Sequence, residues 1–240
     1  MRRPSDEQLV RAWEWGRGRS LPERALALLA LALPECSLEA LYALTVGERD
    51  SGLLSLHEQL FGARIAATTR CPDCREALEL AFAVSDIRAG ERPTVRMEVS
   101  EGDWRVALRP LTGGDLVDVA RGEGDGGVAA LLRRCVLSVH VADTEVPPGD
   151  LPGPVLAAVE TALAAADPQA EIELELRCAR CKHTFTQIFD PTTFLWTEVD
   201  LLIHRLFREV HAIASAYGWS ESQILALGET RRQRYLELVV

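Results

Sequence analysis

The chain has almost no lysine: of its 26 lysines and arginines, Lys182 alone is a lysine. A phosphate-binding loop needs a lysine beside Ser or Thr after a glycine run, so this class of nucleotide-binding protein is excluded. A long apolar run is also missing, because ALALLALAL at 25–33 is far shorter than the ~20 residues that cross a bilayer. The start of the chain, MRRPSDEQLVRAWEW, lacks the apolar core of a secretory signal. We therefore expect a cytoplasmic protein.

A basic surface and a catalytic motif are missing as well. The formal net charge is -10 and the pI is about 5.1, which argues against a polyanion as the main ligand. The sequence contains neither an H-E-x-x-H helix nor a G-x-S-x-G elbow, and its histidines stand alone. No nucleophile has a base at a recognisable spacing. We therefore expect a protein that is not an enzyme.

The spacing of the cysteines indicates a metal site. Four of the six cysteines form two C-x-x-C pairs, Cys71 with Cys74 and Cys178 with Cys181. At this cysteine frequency, chance would supply on the order of 0.1 such pair. Two thiolates separated by two residues in a tight turn can reach one ion, and two such turns complete a tetrahedron. The spacing predicts that the two pairs, which we call the hooks, meet around one metal ion.

The flanking sequence favours a structural metal over redox chemistry. A redox C-x-x-C opens a helix, whereas here alternating apolar residues follow the first hook (78–84) and precede the second (172–176). This pattern is typical of a zinc ribbon. Four thiolates fill the shell of Zn²⁺, although iron also accepts four thiolates, His183 could replace a ligand, and a redox role stays an alternative. Cys36 and Cys135 lie in apolar stretches and are expected in the core.

Helical periodicity dominates the rest of the chain. Helices are predicted at 6–16, after a Ser20–Glu23 capping box, at 37–44, 47–62, 113–121, 127–140 and 152–166, with a hairpin at 94–109. Apolar residues at three- or four-residue spacing from Trp196 to Tyr217 predict a long amphipathic helix, followed by two short ones. The fold class is therefore α+β, mostly helical, with a split zinc-ribbon-like β element and an inserted hairpin-plus-helices segment.

This organisation predicts three parts. An N-terminal helical segment covers 1–66, and a C-terminal helical segment covers 193–240. Between them lies a split zinc ribbon (67–192) made of 67–85 and 170–192, with the hairpin and helices of 86–169 inserted. An ion bound by both hooks would hold this insertion at its base. In the crosslink model, closing a loop of this length stabilises the fold by roughly 4 to 5 kcal/mol.

These segments resemble a known family. PERALALL, VGERDSGLLSLHEQLFG, CPDC, DPQAEIELELRCARC, FDPTTFLWTEVD and EVHAIASAYGWSESQILALGETRRQRYLEL occur in this order. They are similar to the small, hub-type baseplate proteins of T4-like contractile phage tails and of phage-derived bacterial contractile injection systems. The stretch from Phe189 to Leu238 carries the most specific part of the resemblance.

The resemblance implies a structural or assembly role without catalysis, with other baseplate or hub subunits as partners. It implies that the four cysteines bind metal, and it marks a tail motif that includes Gly218. We expect the other members of this motif to contact a partner: Trp196, Tyr217, Trp219, Arg231, Arg232 and Tyr235. The cluster of Arg231, Arg232 and Arg234 could equally be a solvated face. The alternatives are an assembly chaperone for the baseplate hub and a nucleic-acid-binding zinc ribbon.

Overall fold

The structure is a computed structural model that describes residues 3–90, 93–122, 127–142, 144–149 and 151–239. Within these ranges the fold is α+β, as predicted, with a helical body and small antiparallel sheets. The helices are α1 (Asp6–Gly16), α2 (Leu21–Ala32), α3 (Leu38–Ala43), α4 (Val46–Phe61), α5 (Gly113–Ala120), α6 (Val128–Cys135), α7 (Gly153–Ala166), α8 (Pro191–Tyr217), α9 (Glu221–Leu225) and α10 (Glu229–Leu236).

The strands form two isolated hairpins and one four-stranded sheet. β1 pairs with β2, β7 pairs with β8, and β3 to β6 follow one another in sequence order, all antiparallel. Short 3-10 turns lie at Val84–Ile87 and Pro168–Ala170. The strands are β1 (Arg64–Arg70), β2 (Ala77–Ala83), β3 (Met97–Glu101), β4 (Trp104–Leu108), β5 (Val136–Val141), β6 (Thr144–Val146), β7 (Glu173–Arg177) and β8 (Thr184–Ile188).

Local signals position most helix starts. Glu23 accepts hydrogen bonds from the N–H and the hydroxyl of Ser20, which confirms the predicted capping box of α2. Ser220 and Gln223 form a second capping box, at the start of α9. At the other end of α8, Gly218 has a left-handed φ of 68° and its N–H reaches the carbonyl of Ala214.

The helical core brings the two ends of the chain together. Most of its buried side chains come from α1, α2, α4 and α8, among them Trp13, Leu28 and Ile203. The close approach of α1 to α8 requires Gly16, because a Cβ there would lie 2.3 Å from a ring carbon of Trp196. The N-terminal and C-terminal helical segments therefore share one apolar core.

The inserted segment has its own apolar cluster. Val99, Val106 and Val139 of the four-stranded sheet pack against Val155 and Val159 of α7. The predicted hairpin is confirmed as β3 and β4. The predicted helix at 127–140 is wrong in its second half, because α6 ends at Cys135 and the chain continues as β5. The stretch VLSVHV is rich in β-branched residues and pairs with β4, which outweighs the helical pattern before it.

A third cluster joins the two hairpins to the helical core. Ile65 of β1, Ile172 before β7 and Phe189 after β8 pack with Leu54 of α4 and with Val84. The hairpins therefore stand side by side on α4 and the start of α8, with their turns at the far end.

Candidate metal centre

The first hook is the turn between β1 and β2. The N–H of Cys71 donates to the carbonyl of Glu76 at 2.9 Å, and the N–H of Arg75 donates back to the carbonyl of Cys71 at 3.0 Å. Arg75, directly after Cys74, has a left-handed φ of 64°. For a residue with a side chain this conformation costs roughly 1–2 kcal/mol. The surrounding structure must therefore impose the turn.

The second hook repeats this turn between β7 and β8. The N–H of Cys178 donates to the carbonyl of His183 at 2.9 Å, and that of Lys182 donates to Cys178 at 3.0 Å. Lys182 also has a left-handed φ, of 66°. Both hooks thus adopt the same backbone, with the same unfavourable residue after the second cysteine. Such repeated strain indicates a functional constraint on the positions of the sulfurs.

The two hooks meet. The Sγ atoms of Cys71 and Cys181 are 3.6 Å apart, as are those of Cys74 and Cys178, and all four lie within 4.8 Å of one another. With Zn–S bonds of ~2.3 Å, neighbouring sulfurs of a tetrahedral site are ~3.8 Å apart. A disulfide would need ~2.05 Å. The sulfur positions therefore fit a tetrathiolate metal site.

Backbone amides face these sulfurs. The N–H groups of Glu76 and His183 donate to Cys74 and Cys181, at matching positions of the two hooks. The N–H of Cys181 lowers the pKa of the Cys178 thiol to about 7, and the N–H of Arg180 acts in the same direction. For Cys181 the donation from His183 is outweighed by burial and by the neighbouring thiols, which raise the pKa to about 12.

This pattern describes four sulfurs that cannot all ionise unaided. Once one thiolate has formed, the next ionisation meets its negative charge at close range. A divalent cation at the centre would remove that repulsion and allow all four thiolates. The donor set, four sulfurs with backbone amides turned toward them, is therefore suited to Zn²⁺ or to iron.

Other contacts fix the hooks to each other. Arg180 of the second hook forms a 2.9 Å ion pair with Glu76 of the first. His183 stacks on Phe185, with ring centroids 6.0 Å apart, and is exposed. Within the described part of the chain, the converging group of possible ligands consists of the four cysteines without His183.

The remaining cysteines behave differently from each other. Cys135 is buried, as expected, and burial raises the pKa of its thiol to about 11. Cys36 is exposed, so its predicted place in the core is wrong. It follows Pro34 and Glu35 after the end of α2, where the chain has already left the apolar core.

The predicted partner-contact residues fall into two groups. Trp196 is buried in the helical core, and Arg232 is 1% exposed. The Arg232 guanidinium contacts Asp6 of α1 at 2.6 Å and Glu209 of α8 at 2.9 Å. Arg232 is therefore neither a solvated nor a partner-facing cation. Its pKa is raised against the opposing effect of burial, because these carboxylates stabilise its charge.

The other tail residues lie at or near the surface. Tyr217, Trp219 and Tyr235 form a compact aromatic cluster with ring centroids 4.9 to 5.6 Å apart, and Arg231 is exposed. We call the three rings the aromatic triad. Its role in partner binding stays a prediction.

Some features of the site were not recognised in the sequence. The outer strands β1 and β8 were not assigned, because the ATT of 67–69 and the TFTQ of 184–187 lack a strong apolar alternation. The left-handed Arg75 and Lys182 were also missed. The repeated basic residue after each second cysteine, CPDCR and CARCK, was the available signal.

The described helices include none that is both long and apolar enough for a membrane span.

Comparison with known proteins gives one positive result. The family described as T4 bacteriophage base plate protein matches residues 29–196. No curated protein and no solved structure matches the chain. The matched region contains both hooks, the insertion and the start of α8, and it ends at Trp196, so most of the tail from Phe189 to Leu238 lies outside it. Because more than half of the sequence is matched, this chain belongs to the family of T4 bacteriophage base plate proteins.

Proposed function

We propose that the protein is a non-catalytic structural or assembly component of a contractile particle, either a phage tail or a phage-derived bacterial injection system. The observation that carries this proposal is the baseplate-family match across 29–196, which contains both hooks. A baseplate protein acts through contacts with other subunits of the tail. We place this one in or near the hub, assembled in the cytoplasm.

The metal has a structural part in this proposal. Cys71, Cys74, Cys178 and Cys181 would hold one Zn²⁺, for which iron is the alternative. A bound zinc ion would supply a crosslink without reactivity, because four thiolates leave no position for water or a substrate. The chain itself supplies the two matched turns and the amides that face the sulfurs.

The proposed metal centre also defines how the chain is divided, because it links the two pieces of the split ribbon. We divide the chain into 1–66, the split ribbon 67–192 with the inserted 86–169, and 193–240. The separate apolar cluster of the insertion supports the inserted part of this division. The aromatic triad and Arg231 would form one surface for a neighbouring subunit, since aromatic and arginine side chains are enriched in protein interfaces.

Metal content tests the proposed centre. We expect one zinc per chain by elemental analysis of purified protein, and a loss of this zinc in the Cys71→Ser, Cys74→Ser double variant. Cys36→Ser is the matched control, because Cys36 is exposed and outside the cluster. Freshly reduced wild-type protein without metal, or with a readily formed disulfide within a hook, would favour the redox alternative.

Particle assembly tests the proposed role. The gene is deleted in a producing strain, and tails are counted by electron microscopy with and without complementation. We expect few or no complete baseplates without the protein. If the protein is required but absent from purified particles by mass spectrometry, it is an assembly chaperone. Normal particles in the deletion strain would overturn both roles.

A nucleic-acid-binding zinc ribbon is the second candidate, and one observation favours it. Despite the net charge of -10, the residues at the two hook turns are rich in cations. These are Arg70, Arg75, Arg177, Arg180 and Lys182. Tight binding to duplex DNA that falls steeply between ~50 and ~200 mM salt would support this candidate, since released counterions make such binding salt-dependent. Weak binding without a salt slope would exclude it.

A further inference from the structure

An apolar groove runs past the end of β8. One cleft of about 640 Å³ lies between α6, α7 and the approach to β7, and a second of about 860 Å³ lies between the two hairpins and the start of α8. Ile188 lines both clefts and is 59% exposed. We call the two clefts together the Ile188 groove. They adjoin at this side chain.

The lining of the Ile188 groove is largely apolar. Leu111, Leu131 and Leu163 contribute to the first cleft, and Leu80 and Leu174 to the second. Val128, at the mouth of the first cleft, is 70% exposed. Contiguous exposed apolar surface of this kind, as distinct from single exposed residues, marks interaction sites in soluble proteins.

The charged side chains on this lining all have one sign. The first cleft contains Asp167, Glu171 and Glu173, and the second contains three more: Glu79, Asp190 and Glu198. Among the described residues that line either cleft there is no Lys, Arg or His. A chain with 26 basic residues has thus placed none of them here.

These carboxylates also have no ion-pair partner among the residues that the structure describes. Asp167 and Asp190 accept hydrogen bonds from helix-terminal N–H groups, but none of the six forms a salt bridge with a described residue. Elsewhere on the surface, carboxylates such as Glu58 and Asp118 do have arginine partners. Asp167 is 5% exposed, so the rim of the Ile188 groove is formed by the other five carboxylates, which surround the apolar floor with negative charge.

We propose that the Ile188 groove binds an apolar segment bearing Arg or Lys from another baseplate subunit. The proposal rests on the proposed baseplate role and adds the chemistry of the partner. Apolar side chains of the segment would cover Ile188 and its neighbours, while the cations would pair with the carboxylates of the rim. Such complementary charges speed association and select the partner and its register.

Site-specific photocrosslinking tests the contact. A photoreactive phenylalanine replaces Ile188 in the full chain in producing cells, and crosslinked peptides are identified by mass spectrometry. The matched control places the same residue at Val95, which is 74% exposed and outside the groove. We expect Ile188 to crosslink to a segment of another baseplate subunit that contains apolar residues together with Arg or Lys. Crosslinks to a second copy of this chain, to an acidic segment, or equally from Val95 would overturn the proposal.

Charge reversal separates this proposal from the baseplate role. Glu171→Lys, Glu173→Lys reverses the charge at two exposed rim positions of the first cleft, and Glu145→Lys, Glu160→Lys makes the same charge change at exposed sites elsewhere. With the rim variant, incorporation into particles should fall about tenfold or more, because unlike charges become like charges; the control should assemble normally. Opposite reversal of the crosslinked cation should restore incorporation.

The two failures look different. If wild-type chain is absent from particles and deletion leaves assembly intact, the baseplate role fails. If the chain is incorporated and the rim variant assembles as well as its control, the baseplate role stands and the Ile188 groove is not the docking site.

Discussion

The helical core and the paired hairpins of this protein are stabilised by different means. The helical core buries large apolar side chains from helices at both ends of the chain, including Leu9, Leu29 and Leu206 at 0% exposure. The hairpin strands alternate between exposed and half-buried positions, and their shared apolar cluster is small. Burial alone can hold the first region. We expect the second region to depend on the sulfur cluster at its turns, much as small domains with poor cores depend on a metal.

Removal of the sulfurs should give the largest effect and separate the two regions. In Cys71→Ser, Cys74→Ser we expect the β1-β2 and β7-β8 hairpins to lose their order, since structural zinc contributes on the order of 10 kcal/mol in small modules. The helical core should persist. Hydrogen exchange read by mass spectrometry checks this: amides of 64–83 and 173–188 should lose protection while those of α2 and α8 keep it.

A chelator should reproduce this result in wild-type protein, and Cys36→Ser should behave as wild type. If hairpins and helical core lose protection together, the contrast between the two regions is wrong and the chain unfolds as one cooperative unit.

The second-largest effect should lie in the helical core. Arg232→Ala leaves the carboxylates of Glu209 and Asp6 without their shared cation, and Glu209 is 5% exposed. Removing one partner of a buried ion pair costs about 3–5 kcal/mol. We expect a loss of this size in the free energy of unfolding, measured by urea denaturation.

Arg231→Ala is the matched control for this change, because Arg231 is the exposed neighbour. Its effect should be within about 0.5 kcal/mol. Equal effects of the two substitutions would contradict a structural role for the Arg232 ion pairs.

Local sequence signals account for much of what could be predicted. Capping boxes and helical periodicity gave α1, α2 and α8, since these signals act within a few residues. The meeting of the hooks was predictable because four equivalent thiols have one obvious common use. That inference came from the preference of thiolates for a shared metal ion, and the periodicity of apolar residues did not contribute to it.

Long-range contacts account for what was missed. Arg232 lies in the charged stretch ETRRQRY, and nothing local shows that Asp6 and Glu209 will enclose it. β5 follows a helical pattern directly and becomes a strand through its pairing with β4. The Ile188 groove has contributions from both hairpins and four helices, so its single sign of charge exists only in the folded chain.

A pH effect should arise where the two regions join. Burial is the main cause that raises the pKa of Asp50 from 3.8 to about 6; Arg49 opposes it, whereas Asp190 and Asp167 add to it. The folded state therefore binds this proton more tightly than the unfolded state. Stability from this group is fully present below the unfolded pKa of 3.8 and is lost as pH rises through the folded pKa of about 6, by about 3 kcal/mol for a shift of about two pKa units.

Asp50→Asn should remove this dependence. The measured quantity is the difference between wild type and variant in the free energy of unfolding, followed by urea denaturation from pH 4.5 to 7.5. His57, whose pKa is lowered by burial, contributes equally in wild type and variant and cancels in the difference. Asp167, whose pKa is raised by burial, interacts with Asp50, so its response is part of the measured difference. If the difference between wild type and variant does not change with pH, then burial does not raise the pKa of Asp50 in the folded protein.

The smallest of these effects tests whether the helical core extends beyond the matched region. Gly16 lies before the family match, which begins at 29, and it contacts Trp196, the last matched residue. In Gly16→Ala the new methyl group would meet the Trp196 ring at 2.3 Å. Overpacking of this kind costs about 1–3 kcal/mol. Gly153→Ala, where a Cβ meets nothing within 4 Å, should be neutral or slightly stabilising. A neutral Gly16→Ala would mean that α1 packs loosely on α8, and that the tight core lies within the family-matched residues alone.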